Sequence, residues 1–264
     1  MAKTGIDVST HNGRIKWEQA KKNIDFAIIR GGYSRTTDGR FEYNLNGCLD
    51  NNIPVGVYWF SYALNEEYAR KEAQACLKAI NNRKLSLPIF FDYEYDSYNY
   101  SYKNGVTPTG ESIRAITKAF CDYIKAHSNY VVGIYTNVDY INKAYKPMLN
   151  DYPIWLAQWS SKKSYSCDIW QKSSTGNIAG IDGYVDIDIL YADYVKEDET
   201  YKDITLDTPR IKKVCDKFNE KYLETAKEIL NGKYGNGNVR KNEIKNIGMD
   251  YDFAQSIVNA ILEE

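Results

Sequence analysis

The sequence is poor in the residues that build metal centres. His11 and His127 are its only histidines, and its five cysteines (Cys48, Cys76, Cys121, Cys167 and Cys215) are scattered, with no CxxC pair and no Cys/His cluster. That spacing argues against a structural zinc site. An odd, dispersed set of cysteines reads as reduced thiols packed as small hydrophobes rather than as a disulfide framework. Net charge is scarce too. At -1 over 264 residues, nothing draws the whole chain toward nucleic acid or an anionic membrane. Long apolar runs are missing: no segment is suited to stable membrane insertion, and strand-like sequence starts at Thr4 with no apolar signal core before it. The expectation is a protein made in the cytoplasm without an ordinary secretion signal.

Tyrosine is abundant, with 24 residues against 8 Phe and 5 Trp. The ring packs while the hydroxyl needs a partner, so this excess suggests wet, aromatic-lined surfaces of the kind sugars bind. The bland alternative is AT-rich coding, which also enriches Lys, Asn and Ile.

The most informative segment is Phe90-Phe91-Asp92-Tyr93-Glu94, an apolar strand ending in two carboxylates two residues apart. Strand side chains alternate faces, so Asp92 and Glu94 enter the same space. Crowding two like charges keeps one of them protonated toward neutral pH. An acid beside an ionised carboxylate is what glycosidic bond cleavage requires. Asp7 closes a similar short strand, and Asp186 and Asp188 share one face of the alternating run 184–190.

Eight β runs are visible, at Ile6 and at 26–30, 55–60, 89–91, 131–135, 154–157, 168–171 and 185–190. Helical patterns separate the early ones. Asn65 is a good N-cap before Glu66 and Glu67, and Ile113, Ile116, Phe120 and Ile124 form a buried stripe. Alternating β and α elements predict a mostly parallel α/β barrel, modified in its last third. Active sites of such barrels lie at the C-terminal strand ends, where Asp7, Asp92 and Glu94 fall. Asp186 sits early in its strand, which therefore has to run antiparallel to bring it there. Residues 95–105 read as a long loop whose tyrosines either wall a sugar groove or form a surface insertion.

Three parts are expected: a barrel over 1–195, a charged linker over 196–207 and a small helical module over 208–264. The tail carries near-equal numbers of basic and acidic side chains, so it is not a nucleic-acid arm.

Gly5-Ile6-Asp7-Val8-Ser9, Asp92-Tyr93-Glu94 and the stretch from Trp170-Gln171 to Asp186, together with Gly56-Val57-Tyr58-Trp59-Phe60 and Trp155-Leu156-Ala157-Gln158-Trp159, resemble glycoside hydrolase family 25. These are the Chalaropsis-type lysozymes, or N-acetylmuramidases. The resemblance runs from about residue 2 to 193. It implies an irregular (β/α)5(β)3 barrel whose last strand opposes its neighbours. It also implies hydrolysis of the β-1,4 bond between N-acetylmuramic acid and N-acetylglucosamine in peptidoglycan, without metal or organic cofactor. Glu94 then matches the general acid, Asp92 the second key carboxylate, and Asp7 and Asp186 acidic residues lining the site. Arg30, Tyr33, Tyr58, Trp59, Tyr62, Tyr135, Trp155, Gln158 and Gln171 are the candidate substrate contacts. Trp59 stands where relatives often carry His, and Asp188 where many carry Asn.

Residues 228–237, with Arg240, Gly248, Asp250-Tyr251 and 255–259, resemble the wall-binding repeat of pneumococcal phage lysozymes, a three-helix module. Tyr234 replaces the usual Trp. Lys233, Tyr234, Asn236, Asn238 and Arg240 are its candidate contacts. Together the two resemblances imply a phage endolysin, held in the host cytoplasm, released through a holin and then acting on the cell wall. An autolysin is the nearest alternative. A non-catalytic wall-binding protein on a lysozyme barrel is a further rival, as is a chitin-cutting enzyme, whose usual DxxDxDxE pattern is absent. Asp92 keeps three roles open: nucleophile, water-activating base, or partner of the substrate's own acetamido group. The substrate-assisted route is preferred. Cα atoms two apart on a strand lie about 6.5–7 Å from each other. Retaining enzymes hold their carboxyls about 5–5.5 Å apart and inverting ones about 6.5–9.5 Å. Stereochemistry and oligomeric state stay open.

Overall fold

The computed structural model describes residues 2–194 and, in the C-terminal part, 220–222, 224–234, 237–252, 254, 255 and 258. The alternating apolar runs form β1 (Lys3–Val8), β2 (Phe26–Tyr33), the two-residue β3 (Thr36–Thr37), β4 (Val55–Phe60), β5 (Ile89–Asp92), β6 (Val132–Asn137), β7 (Ile154–Ala157), β8 (Ile169–Gly176) and β9 (Val185–Leu190). The sheet order is β1-β9-β8-β7-β6-β5-β4-β2-β3, and β1 also pairs with β2. Eight strands thus close a barrel, while β3 folds back antiparallel on β2. From β1 round to β8 neighbouring strands run parallel. β9 alone among these strands opposes both of its neighbours. That reversal sets Asp186 opposite Asp7 in the β1–β9 register, as the position of Asp186 in its strand requires.

Helices α1 (Trp17–Ala20), α2 (Phe41–Asp50), α3 (Glu66–Ile80), α4 (Tyr95–Lys103) and α5 (Gly110–His127) fill the connections up to β6. The Asn65 side chain caps α3 by accepting the Tyr68 N–H at 3.1 Å. The stripe Ile113, Ile116, Phe120 and Ile124 is buried on α5. Outward strand residues such as Ile6, Val57, Phe91 and Ile134 join these helices in the outer core. The inward residues Phe26, Ile28, Phe90, Tyr135, Trp155, Ile169 and Leu190 fill the barrel itself. This filling depends on paired sizes. A Cβ on Gly5 would lie 2.6 Å from the Phe26 ring, and one on Gly133 would lie 2.7 Å from Phe90. Small inward residues thus make room for the large ones that close the barrel floor.

The expected loop over 95–105 is instead mostly the helix α4. Ser97 Oγ accepts the Glu94 N–H at 3.0 Å, which fixes the first turn. Ser101 Oγ donates to the Ser97 carbonyl at 3.1 Å. These two small residues bury one face and leave Tyr95, Tyr100 and Tyr102 exposed. Local capping and a small-residue stripe outweigh the modest helix propensity of Tyr and Asn.

The chain divides into two compact units, Met1–Lys196 and Glu197–Glu264. The second has its own core of Tyr222, Ala226, Ile229, Ile244, Met249, Ala254 and Val258. Its helical stretch over 224–230 stops at a turn where Gly232 takes a φ of 80°, a left-handed stop that costs glycine little. The next helix is Gly237–Asn246. The expected linker 196–207 lies outside the described residues.

Candidate active site

Two acid pairs converge at the C-terminal end of the parallel strands. Asp92 is the last residue of β5, and Glu94 is the N-cap of α4, in extended backbone at φ -126° and ψ -170°. The two carboxyls interact directly, each acting on the protonation of the other. Asp92 is buried, and its Oδ1 meets no N–H or O–H donor among the described residues. Burial and the Glu94 charge push its pKa well up, against the pull of Arg30. Burial first, then the Asp96 and Asp186 charges, raise Glu94 to about 7. Glu94 is the more accessible of the two, so it is the member that can meet a ligand.

Across the barrel, Asp7 of β1 accepts a hydrogen bond from Gln171 Nε2 at 2.8 Å. Gln171 is held in turn by the Tyr135 hydroxyl (3.1 Å) and Trp159 Nε1 (3.2 Å), which both donate to its Oε1. Burial and then the charges of Asp188 and Asp186 raise Asp7 well above the usual carboxylate range. Asp186 is half-buried and raised by burial to about 6.

Arg30 is the cation acting on Asp92 and Tyr58. Its Nε donates to Asp38 Oδ2 at 2.7 Å, and its guanidinium sits 5.7 Å from the Tyr33 ring centre. The β2–β4 register skips Gly31 immediately after Arg30, a bulge at the barrel rim that redirects the strand end. Asp38 also accepts the Thr10 and Arg40 backbone N–H groups, so Arg30 is anchored rather than swinging. Tyr62 follows β4 and packs its ring 5.0 Å from Tyr100 of α4. The exposed Tyr100 thus packs on Tyr62 beside the end of β4.

Of the expected site residues, the strand-borne Asp7, Asp92, Asp186, Arg30, Tyr58, Tyr135 and Gln171 share the inward face, with Glu94 just past β5. Two tryptophans expected at the ligand surface are not on it. Trp59 lies on the outward face of β4, is 0% exposed and donates to the Ser34 carbonyl at 2.8 Å. Strand alternation places it opposite to Tyr58. Trp155 points inward but lies beneath the carboxylates at 1% exposure, packed on Phe90, Tyr135 and Tyr58. Gln158 is turned into its own loop, exchanging hydrogen bonds with Ser164 at 2.9 and 2.8 Å.

Sequence reasoning missed Glu72. This buried residue of α3 accepts from Ser61 Oγ at 2.6 Å and from the Tyr62 N–H at 2.9 Å, fixing the turn that carries Tyr62. Burial raises its pKa to about 8. Its position on the buried stripe of α3 was the available signal, since a Glu among Ala69, Ala73 and Cys76 needs a partner.

In the second unit, Lys233 pairs with Glu228, and the Tyr234 hydroxyl donates to the same carboxylate at 2.6 Å. Arg240 Nη1 donates to Gln255 at 3.3 Å. Asn236 lies outside the described residues, and Asn238 falls inside the helix Gly237–Asn246 rather than in a loop.

A family model described as glycosyl hydrolases family 25 matches residues 6–181. The chain belongs to glycosyl hydrolase family 25. A second model, the CW_7 repeat, matches residues 224–262 of this family 25 chain. Lysozyme M1 of Streptomyces globisporus is 28% identical over 198 residues, covering 69% of the chain and 65% of that protein. The lysozyme of Streptococcus phage Cp-7 is 28% identical, with 97% of the chain and 69% of that protein aligned. The modular autolysin LytC from Streptococcus pneumoniae, solved in complex with a synthetic peptidoglycan ligand, superposes with a TM-score of 0.65. That match is at 29% identity and covers 72% of the chain and 47% of LytC. The chain therefore spans under two thirds of Lysozyme M1 and about half of LytC.

Proposed function

We propose that the chain is an endolysin that hydrolyses the β-1,4 bond between N-acetylmuramic acid and N-acetylglucosamine of peptidoglycan. The observation that carries this reading is the Asp92–Glu94 acid pair facing Asp186 and Asp7 at the barrel mouth. Glu94, raised to about 7, is the proton donor to the glycosidic oxygen. Asp92 and Glu94 lie two residues apart at one strand end and interact directly, an arrangement unlike a nucleophile and an acid held roughly 5 Å apart with a sugar between them. That contact favours substrate assistance, in which the acetamido oxygen attacks the anomeric carbon and Asp92 stabilises the oxazolinium-like intermediate. Arg30, Tyr33, Tyr62 and Tyr135 line the approach, and Gln171 orients Asp7. In this reading the protein accumulates in the host cytoplasm, leaves through a holin and lyses the wall. It has a catalytic barrel over 1–195, a linker over 196–207 and a wall-binding module over 208–264.

The test is mass spectrometry of borohydride-reduced products from purified Gram-positive peptidoglycan. New reduced muramic acid ends support the reading. New reduced glucosamine ends make it a glucosaminidase, and no new ends make it a binding protein.

The general acid must carry its proton, so activity is lost as pH rises through the Glu94 pKa. The expected kcat/KM falls about tenfold per pH unit above roughly pH 7. Asp186→Asn removes one of the charges that raise Glu94 and moves this limb to lower pH. A limb that stays in place in the variant removes Glu94 from the acid role.

The tail gives a separate expectation. Truncation after Lys196 lowers retention on purified walls while leaving turnover of soluble wall fragments within about twofold, because a second binding module adds avidity and not chemistry. Equal pelleting of both forms with walls removes the wall-binding assignment.

A further inference from the structure

Asp188 is a carboxylate that the mechanism above does not use. It lies on β9 two residues past Asp186, inside the barrel, and is 0% exposed. Its Oδ1 accepts the Trp155 Nε1–H at 2.7 Å. Its Oδ2 meets no N–H or hydroxyl donor among the described residues. A fully buried carboxylate oxygen with no donor is costly, and native structures rarely leave one so. The neighbour that can reach Asp188 from β1 is Asp7, with which it interacts directly. Gly5 stands opposite Asp188 in the register, and it presents no side chain to separate the two acids. Gln171, opposite Asp188 on the other side, donates from its amide to Asp7 and makes no hydrogen bond to Asp188 Oδ2. The remaining donor is a carboxylic proton.

We propose that Asp188 is a positioning residue: with Asp7 it holds one proton across the β1–β9 pair, and that shared proton locks the Asp7 carboxyl in the site. Asp7 is then gripped from two sides, by Gln171 and by Asp188. Trp155 and Gln171 have only N–H to give, so they favour an acceptor at the outer oxygen of each acid and leave the inner edge for the proton. The proton is kept because burial and the Asp186 charge disfavour a second negative charge. Asp186 of β9 acts on both acids. Tyr58 of β4 and Tyr135 of β6 stay neutral beside Asp7. The cation Arg30 of β2 acts on Asp92 and Tyr58. Burial raises Asp188 to about 8 and holds Asp7 high as well.

A carboxyl whose pKa is higher folded than unfolded takes up a proton on folding, so stability falls as pH rises from the unfolded value toward the folded one. The inference predicts a thermal midpoint that declines between about pH 4 and pH 8. In Asp188→Asn that decline becomes shallower, because the amide accepts from Trp155 and donates to Asp7 with no proton to lose. The role in turnover rests on the hydrolase reading, and a second pair of variants addresses it. Asp188→Leu keeps the branched shape without any polar atom and frees Asp7, and is expected to lower kcat on wall fragments about 10- to 100-fold with KM little changed. Asp188→Asn is expected to recover most of that loss. The proposal is overturned if Asp188→Asn melts with the same pH dependence as the wild type, or if Asp188→Leu turns over as fast as Asp188→Asn. A wild type that releases no new reducing ends sinks the hydrolase reading instead, and the melting comparison still decides the shared proton.

Discussion

Glu94→Gln is expected to cost about 10²–10⁴-fold in the release of new reducing ends, the range that removal of a general acid produces. The amide is nearly the same size, so packing around α4 is kept. The Ser97 hydroxyl still accepts the residue-94 N–H, since that bond uses backbone. What is lost is the proton that leaves with the glycosidic oxygen. Without it the departing sugar is a poorly stabilised alkoxide. The folded state should not suffer. A Glu raised to about 7 by burial and by Asp96 and Asp186 makes folding less favourable as pH climbs toward that value, and a neutral Gln removes this loss. The variant should therefore melt at or above the wild-type temperature at pH 8 while being almost inactive. The check is product analysis beside thermal melting of the same samples. Wild-type turnover in the variant, or inactivity explained by a collapsed melting curve, defeats the assignment.

Much of this architecture can be read along the chain. Period-two runs locate the eight barrel strands, because inward and outward faces are both apolar but differ in kind. Asp7, Asp92, Asp186 and Arg30 are then the charged residues that fall on inward positions near the mouth. The placement of Asp186 early in its strand is enough to require the reversal of β9, and the register opposite Asp7 bears this out. Three features were not legible, each for a physical reason. Alternation puts Trp59 opposite Tyr58, yet a Trp beside an aromatic run invites a ligand-facing reading unless the face is tracked residue by residue. The helix over Tyr95–Lys103 depends on Ser97 and Ser101 being buried, a tertiary fact that propensity cannot supply. The donor-poor setting of Asp188 depends on which neighbours are already committed. The Gln171 amide is turned to Asp7 and not to Asp188 Oδ2, and only the folded structure reveals that.

Trp155→Ala is expected to produce the largest loss of stability from any single inward side chain named here. The indole packs edge-on to Tyr135 at 4.5 Å, Phe90 at 5.4 Å and Tyr58 at 5.9 Å between ring centres. It is almost fully buried. Truncating a buried Trp to Ala costs roughly 3–5 kcal/mol through lost transfer energy and the cavity left behind. A second cost adds to it, because Asp188 loses the Nε1–H donor at 2.7 Å, and an unsatisfied buried acceptor is worth about 1–3 kcal/mol. Domains of this kind hold on the order of 5–15 kcal/mol in all, so the variant should lose a large share of its stability. Trp155→Phe separates the two costs. It keeps a ring against Tyr135 and Phe90 but removes the donor, so its loss should fall near the smaller figure. The polar part of that loss should shrink when Asp188→Asn is added, because a neutral amide tolerates a missing donor better than a buried carboxyl does. Urea titrations of Trp155→Phe, Asp188→Asn and the double variant give the coupling directly. A coupling near zero would mean that the indole supports the barrel through packing alone, and that the Trp155–Asp188 hydrogen bond contributes nothing to holding the acid pair above the floor.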